Sequence, residues 1–137
     1  MLLTRFDPFK QIKDIERSYY KYPDNESVNA FLPIVNTRED ETAFYIDVDL
    51  PGVDKKDIKV DLNKNILTIW GERKTKKEVK EEDYYKVETT FGKFTRSFTL
   101  PENIDIENIQ AESNNGVLEL VLPKKEEQTN KKSIKIK

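Results

Sequence analysis

The sequence predicts an all-β, immunoglobulin-like sandwich. Apolar and polar residues alternate over short runs, as at 44–50 and 58–62. This period of two is typical of strands with one buried face. Turn residues separate the runs, among them Pro51-Gly52 and Asn115-Gly116. Asn-Gly is a strong hairpin signal, because a type I′ turn needs positive φ at both positions. Six or seven short antiparallel strands with such turns favour a sandwich.

The predicted strands follow one another in a regular order. Those at 44–50, 58–62 and 66–70 are joined by Pro51-Gly52 and by Asn63-Lys64-Asn65. The later ones lie at 94–100, 109–113 and 117–122, and the last of them stops at Pro123. We therefore predict one folded domain over residues 33–123, within the usual size of a single domain.

A charged insertion interrupts these strands at residues 73–90. Residues 73–83 contain five basic and four acidic side chains and a single apolar residue, Val79. Tyr84, Tyr85 and Val87 then restore some strand character. Long connections without structure are uncommon in compact domains unless they are functional. We expect a solvated loop with a function of its own.

Residues 1–32 are predicted to form a short helical or disordered arm. Asp7 is suited to cap a helix with Pro8 at its first position. Apolar residues at near-helical spacing follow it. The stripe either docks as ordinary core or makes a mobile, adhesive segment, since the polar run 24–27 separates it from the domain. The apolar residues of the arm are Leu2, Leu3, Phe6, Phe9, Ile12, Ile15, Tyr19, Tyr20 and Phe31.

The C-terminal extension, residues 124–137, carries Ile134 and Ile136 in an otherwise polar, lysine-rich sequence. In an extended strand, residues two apart point to the same side. The pair is therefore suited to an apolar groove. The alternative is a frayed terminus in which the two isoleucines are incidental.

Arg96 breaks the apolar pattern of its strand, where it shares one face with Phe94 and Phe98. Arginine is almost never fully buried unless it is paired. Arg96 either extends to solvent at a sheet edge or pairs with a carboxylate across a subunit interface. The sequence does not rank the candidate carboxylates, which include Glu72, Asp83 and Glu88.

Composition excludes several classes of function. The chain has no Cys and no His, which excludes disulfides, thiolate metal sites and thiol catalysis and removes the commonest general base. A net charge of −2 gives no field for nucleic acid or an anionic membrane. No apolar run approaches a membrane span, and the N-terminus lacks the apolar stretch of a signal peptide. We expect a soluble, cytoplasmic protein with no cofactor and no obligatory membrane contact.

Five motifs in order resemble those of the small heat-shock protein (α-crystallin domain) family, bacterial type. They are Asp-Leu-Pro-Gly-Val at 49–53, Leu-Thr-Ile-Trp-Gly-Glu-Arg at 67–73, the stretch 91–101 with Arg96, Ala-Glu-Ser-Asn-Asn-Gly-Val-Leu at 111–118, and Ile-Lys-Ile at 134–136. The sequence Phe-Asp-Pro-Phe at 6–9 is also similar to the bacterial branch. The resemblance covers residues 33–137 closely.

The resemblance implies a chaperone that binds partly unfolded clients without ATP and is not an enzyme. It implies homodimers that build larger oligomers. Tyr84, Tyr85 and Val87 would pair with Ile34 and Val35 of the partner subunit, with Arg96 at the same interface. The arm at 1–32 would contact clients and other arms. Ile134 and Ile136 would dock between edge strands of a neighbouring dimer, in a groove formed by Ile58, Val60, Leu62, Ile109, Ala111 and Ser113.

Two other functions fit the sequence less well. One is a co-chaperone adaptor of the same sandwich type, but such adaptors lack the Pro-Gly turn signature and the Ile-Lys-Ile tail. The other is a carboxylate-based glycosidase. The alternating carboxylates are expected on solvent faces, and nothing in the sequence suggests a cleft. The four glycines form no phosphate-binding loop.

Overall fold

The computed structural model describes residues 7–11, 31–126 and 134–137. These residues form two four-stranded antiparallel sheets with strand orders β1-β6-β5-β4 and β2-β3-β8-β7. The prediction of an all-β sandwich is confirmed. Short 3₁₀ turns lie at Lys55–Asp57, Glu81–Asp83 and Ile106–Asn108. The strands are β1 (Lys10–Gln11), β2 (Val35–Glu39), β3 (Ala43–Asp49), β4 (Ile58–Asn63), β5 (Ile66–Arg73), β6 (Gly92–Thr99), β7 (Gln110–Asn114) and β8 (Val117–Pro123).

The alternation in the sequence decides which side chains enter the core. In β8 every second residue is buried, and β3 buries its own alternate residues opposite them. The turn between β7 and β8 has φ values of 54° at Asn115 and 79° at Gly116, as a type I′ turn requires. The strands supply most of the core, including Phe44, Ile46, Val48, Leu67, Ile69, Phe94, Phe98, Leu118, Leu120 and Leu122.

Gly71 marks a close approach inside the sheet of β4 and β5. It lies opposite Ile58, where β4 begins. A Cβ atom at this position would overlap the backbone oxygen of Asp57 and crowd the ring of Phe94. Only glycine allows the backbone of β5 to pack this closely against the 3₁₀ turn that precedes β4.

Two residues predicted for the arm belong to the core instead. Phe9 and Phe31 are 3% and 7% exposed. Phe31 packs edge-to-face on Phe94, with ring centroids 5.7 Å apart. Assigning these two phenylalanines to an exposed client-binding arm is therefore wrong for the single chain, because their rings complete the apolar layer between the sheets.

The helix predicted to begin at Pro8 is also wrong where the structure describes it. The carboxylate of Asp7 accepts a hydrogen bond from the Phe9 N–H at 2.8 Å. The next residues nevertheless form strand β1, which pairs with Phe98 and Thr99 of β6. The edge of β6 offers backbone partners that a short, isolated helix lacks. Seven predicted arm residues lie outside the described residues, namely Leu2, Leu3, Phe6, Ile12, Ile15, Tyr19 and Tyr20.

The root of the C-terminal extension is tied to the sandwich. The Lys125 N–H donates to the Asn103 carbonyl at 2.8 Å, and Lys124 forms an isolated bridge with Ile104. The Lys124 N–H also donates to the Thr42 carbonyl at 2.9 Å. At the other end of the extension, Ile134 and Ile136 are 83% and 94% exposed. The extension therefore leaves the domain at a fixed point and presents two exposed isoleucines.

Candidate self-association surfaces

Four strands lie at the ends of the two sheets, and three of them, β2, β4 and β7, have five or more residues. β2 and β7 are the ends of one sheet, and β4 is the end of the other sheet opposite β1. Among the described residues, no strand pairs with the outer side of these three. An outer strand presents a row of backbone N–H and C=O groups that can pair with another chain. These edges are therefore the natural contact sites of the fold.

Side chains on the outer face hold β2 in place. The guanidinium of Arg38 lies 3.9 Å from the ring centroid of Tyr45 on β3. Its nitrogens lie 3.5 Å from carboxylate oxygens of Asp47 on β3 and Glu119 on β8. Exposed ion pairs contribute little stability individually. Here they link the Arg38 side chain on β2 to β3 and β8.

The turn from β2 to β3 is organised around Asp40. Its carboxylate accepts hydrogen bonds from the N–H groups of Thr42 and Ala43, at 2.8 and 2.9 Å, and from the Tyr45 hydroxyl at 2.8 Å. The Tyr45 bond, followed by the backbone bonds, holds the pKa of Asp40 well below its usual range. The same contact raises the pKa of Tyr45. The ionised form of Asp40 therefore stabilises the hairpin that presents the β2 edge.

Apolar side chains lie exposed beside this edge. Ile34 is 69% exposed and Leu32 is 54% exposed. Val35, the first residue of β2, is only partly buried. The predicted dimer residues Ile34 and Val35 are thus accessible to a second chain at the start of an open strand.

The loop between β5 and β6 is fixed at its base and exposed at its tip. At the base, the Lys74 ammonium lies 3.0 Å from the Asp57 carboxylate, which raises the pKa of Lys74. The Arg73 guanidinium lies 4.8 Å from the ring centroid of Phe31 and 5.5 Å from that of Phe91. Sequence reasoning missed these three contacts, since none of them follows from local spacing.

No strand forms in the loop itself, although residues 84–87 showed strand character in the sequence. They follow the 3₁₀ turn Glu81–Asp83 and pair with no strand of the described residues. Tyr84 and Val87 are 43% and 56% exposed, and Tyr85 is fully exposed. The predicted dimer residues of the loop are therefore side chains that are partly or fully exposed in this chain.

Arg96 is buried rather than extended to solvent, so the expectation of a solvent-reaching side chain is wrong. It is 8% exposed, and its Nη1 donates to the Pro33 carbonyl oxygen at 2.8 Å. Its guanidinium also lies 5.7 Å from the ring centroid of Phe98. The contact joins β6 of one sheet to the residues that lead into β2 of the other. A carboxylate of a second subunit as a further partner of Arg96 stays a prediction.

The residues of the predicted tail groove divide into two groups. Ile58, Val60 and Leu62 of β4, together with Ile109 before β7, are partly buried and pack against the core. The other two residues, Ala111 and Ser113, lie on β7, whose residues are all exposed. The structure thus places apolar side chains along two open edges, while Ile134 and Ile136 of the same chain remain exposed to solvent.

The described residues hold no group of three or more acidic or other metal-ligating side chains that could bind a metal ion. The same residues contain no helix with the length and apolar content needed to cross a membrane. What they do present is a two-sheet sandwich with open edges and exposed apolar side chains. These features define a class of β-sandwich protein whose surface is suited to chain-to-chain contacts.

Known proteins share this sequence and architecture. The family model described as "Hsp20/alpha crystallin family" matches residues 36–137. Spore protein SP21 of Stigmatella aurantiaca is 37% identical over 129 residues, which are 89% of this chain and 76% of that protein. Small heat shock protein C2 of Rickettsia felis is 35% identical over 115 residues, 83% of this chain and 75% of that one. A solved structure of a small heat-shock protein from Xylella fastidiosa, 36% identical, has a TM-score of 0.68 and covers 78% of this chain and 97% of that chain.

The chain therefore belongs to the Hsp20/alpha crystallin family. The resemblance given by the five ordered motifs is confirmed. This membership supports a chaperone role in the stress response, since the family consists of small heat-shock chaperones rather than enzymes.

Proposed function

We propose that this protein is an ATP-independent holdase that binds partly unfolded proteins, prevents their aggregation and works as a dynamic oligomer built from dimers. The observation that carries the proposal is the combination of exposed apolar side chains with open strand edges, in a chain of which 36% is charged. Contiguous exposed apolar surface usually marks an interaction site. The side chains are Leu32, Ile34, Tyr84, Tyr85, Val87, Ile134 and Ile136.

The proposed dimer forms by pairing the loop segment 84–87 of one subunit with the β2 edge of the other. Several features of the described residues support this pairing. The segment is apolar and exposed, the β2 edge is open, and Ile34 beside it is exposed as well. The contacts of Arg38 and Asp40 hold that edge ready for a partner strand. Strand addition gains main-chain hydrogen bonds that neither segment has alone.

The proposed larger assembly forms by docking Ile134 and Ile136 against β4 and β7 of a neighbouring dimer. Burying one isoleucine contributes about 1.5–3 kcal/mol before the cost of ordering the chain, which is about 1–2 kcal/mol per residue. One docked tail is therefore a weak contact. Many tails in one closed assembly act together through high effective concentration. Such contacts open reversibly on heating, which suits a chaperone that must expose binding surface under stress.

Light scattering of a heat-aggregating test protein checks the holdase function. The test protein is heated alone, with an equal mass of an inert protein, and with this chain, always without ATP. We expect this chain to suppress aggregation at near-stoichiometric ratio, while the inert protein does not. Scattering that is unchanged by this chain would contradict the proposal.

The mass of the native chain in solution checks the assembly independently. Multi-angle light scattering should give species of many subunits that dissociate to dimers on dilution or warming. A stable monomer at all concentrations would exclude the proposed dimer. It would favour the co-chaperone adaptor instead.

A further inference from the structure

Residues 7–11 occupy a cradle in the sandwich, which we define by the rings of Phe44 and Phe98 and the edge of β6 at 98–99. Phe44 lies on β3 and Phe98 on β6, so the two rings come from opposite sheets. Phe9 meets both edge-to-face, with centroids 5.6 and 6.3 Å away and interplanar angles of 81°. Phe9 is 3% exposed in this position. Its removal would open the core between the sheets to solvent.

The contacts of residues 7–11 are those expected for a bound extended peptide. Lys10 pairs with Thr99 and Gln11 with Phe98 in antiparallel register, which adds a short strand to β6. Ahead of the strand, the Asp7 carboxylate accepts the Phe9 N–H at 2.8 Å and forms a local turn. Backbone pairing for affinity and one pocket for a side chain are the elements of peptide recognition by strand addition. Nothing in this arrangement requires the segment to be part of the same chain.

The docked segment is weakly held by its own contacts. Burial of one phenylalanine and its two edge-to-face ring pairs favour the docked position. The backbone entropy lost when the five-residue segment is ordered opposes this gain. The segment stays in place because it belongs to the same chain as the cradle, which keeps its effective concentration at the cradle high. A segment held in this way exchanges with others that offer the same contacts.

We propose that the cradle is a second peptide-binding site, for extended segments that carry a phenylalanine, and that residues 7–11 occupy it in the resting chain. The proposal rests on the holdase function, because unfolded clients present such segments. The site differs from the open edges of β4 and β7 in both place and chemistry. It lies at the opposite end of its sheet from β4 and takes one aromatic ring rather than a pair of isoleucines. Release of the segment exposes Phe9 together with the two rings that it covers.

Fluorescence anisotropy of a labelled peptide tests the proposal. The probe has the sequence of residues 7–13, and the control probe carries Ala in place of Phe9. Each is titrated with full-length wild-type chain, with the Phe9→Ala variant and with Ile106→Ala, which alters an exposed apolar side chain outside the proposed binding surfaces. The phenylalanine probe should bind the Phe9→Ala variant at least about tenfold more tightly than wild type, because the internal competitor is lost. Ile106→Ala should behave as wild type, and the alanine probe should bind none of the three.

Photo-cross-linking locates the bound probe in the wild-type chain, so the test does not depend on the folding of a variant. A photoreactive phenylalanine analogue replaces Phe9 in the probe, and mass spectrometry maps the products. Cross-links on β3 and β6 support the cradle. Cross-links confined to β4 and β7, or equal binding of the two probes, overturn it. The holdase function is read separately from aggregation, so failure of the cradle leaves that result untouched.

Discussion

The two ends of this chain carry similar short apolar segments that have opposite fates. Near the N-terminus, Phe9 is buried between Phe44 and Phe98 of its own sandwich, and β1 pairs with β6. Near the C-terminus, Ile134 and Ile136 are almost fully exposed. Both segments suit strand addition with side-chain pockets. The N-terminal segment finds its site in the same chain, whereas the C-terminal pair finds none among the described residues.

This difference shows how one fold uses its edges in two ways. Strand β1 of the same chain covers the edge of β6 at residues 98–99, and this pairing stabilises the single chain. The edges of β2, β4 and β7 are left open, so their pairing energy is available to other chains. Substitutions in the N-terminal segment should therefore change folding stability, and those in the tail should change assembly.

The largest effect is expected at the tail, where substitutions should change the mass of the assembly but not the stability of the domain. In the double variant Ile134→Ala/Ile136→Ala, the mass measured by light scattering should fall from large oligomers to dimers or small species. The thermal midpoint of the domain should move by less than about 2 °C, because no core packing is lost. Lys135→Ala, between the two isoleucines, is the matched control and should keep the native mass. An unchanged mass in the double variant would show that the domain or the arm suffices for assembly.

The opposite pattern is expected at the N-terminal segment. Phe9→Ala should lower the free energy of unfolding by about 2–3 kcal/mol in urea denaturation. This is below the value for a fully enclosed phenylalanine, because the segment can detach. Leu32→Ala, whose side chain is exposed, should change it by less than about 0.5 kcal/mol. Equal effects of the two substitutions would mean that Phe9 is not part of the core in solution.

A smaller effect is expected where Arg96 ties the residues before β2 to β6. Arg96→Ala removes the hydrogen bond to the buried Pro33 carbonyl and should lower the free energy of unfolding by about 2 kcal/mol. Arg38→Ala is the comparison, because that arginine is half exposed and its ion pairs lie at 3.5 Å. It should cost less than about 1 kcal/mol. If Arg96→Ala lowered the free energy of unfolding by less than Arg38→Ala, the stabilising contact of buried Arg96 would be contradicted.

The smallest expected effect is a pH dependence at the β2–β3 turn. The pKa of Asp40 is lowered in the folded chain, so its stabilising contribution is present above the unfolded value of about 3.9 and is lost as the pH falls through the folded-state pKa. The thermal midpoint of Asp40→Asn should lie slightly below that of wild type at pH 7. The gap should shrink as the pH falls below about 3.9. Asp61→Asn, an exposed carboxylate on β4, should show no such gap.

The local sequence pattern was enough to predict the strands, but it could not predict the contacts between residues that are distant in the sequence. The alternation in β3 and β8 and the Asn115-Gly116 turn are local properties, so the sandwich could be predicted. The partner of Arg96 lies 63 residues away, and a backbone carbonyl carries no sequence signal. Phe9 was assigned to a helix because its spacing from the next apolar residues is close to helical. Its burial depends on rings that only the folded sandwich brings together.

In the proposed assembly, the anchored root of the tail limits the distance between a domain and the neighbour that accepts its tail. Lys125 is tied to the Asn103 carbonyl, so the free reach of the tail begins there. From Lys125 to Ile134 the chain can extend by at most about 32 Å, at 3.3–3.6 Å per residue. A neighbouring domain that accepts the tail must lie within this distance of its donor. Lengthening or shortening this spacer therefore changes which arrangements of dimers can close, without altering any contact surface.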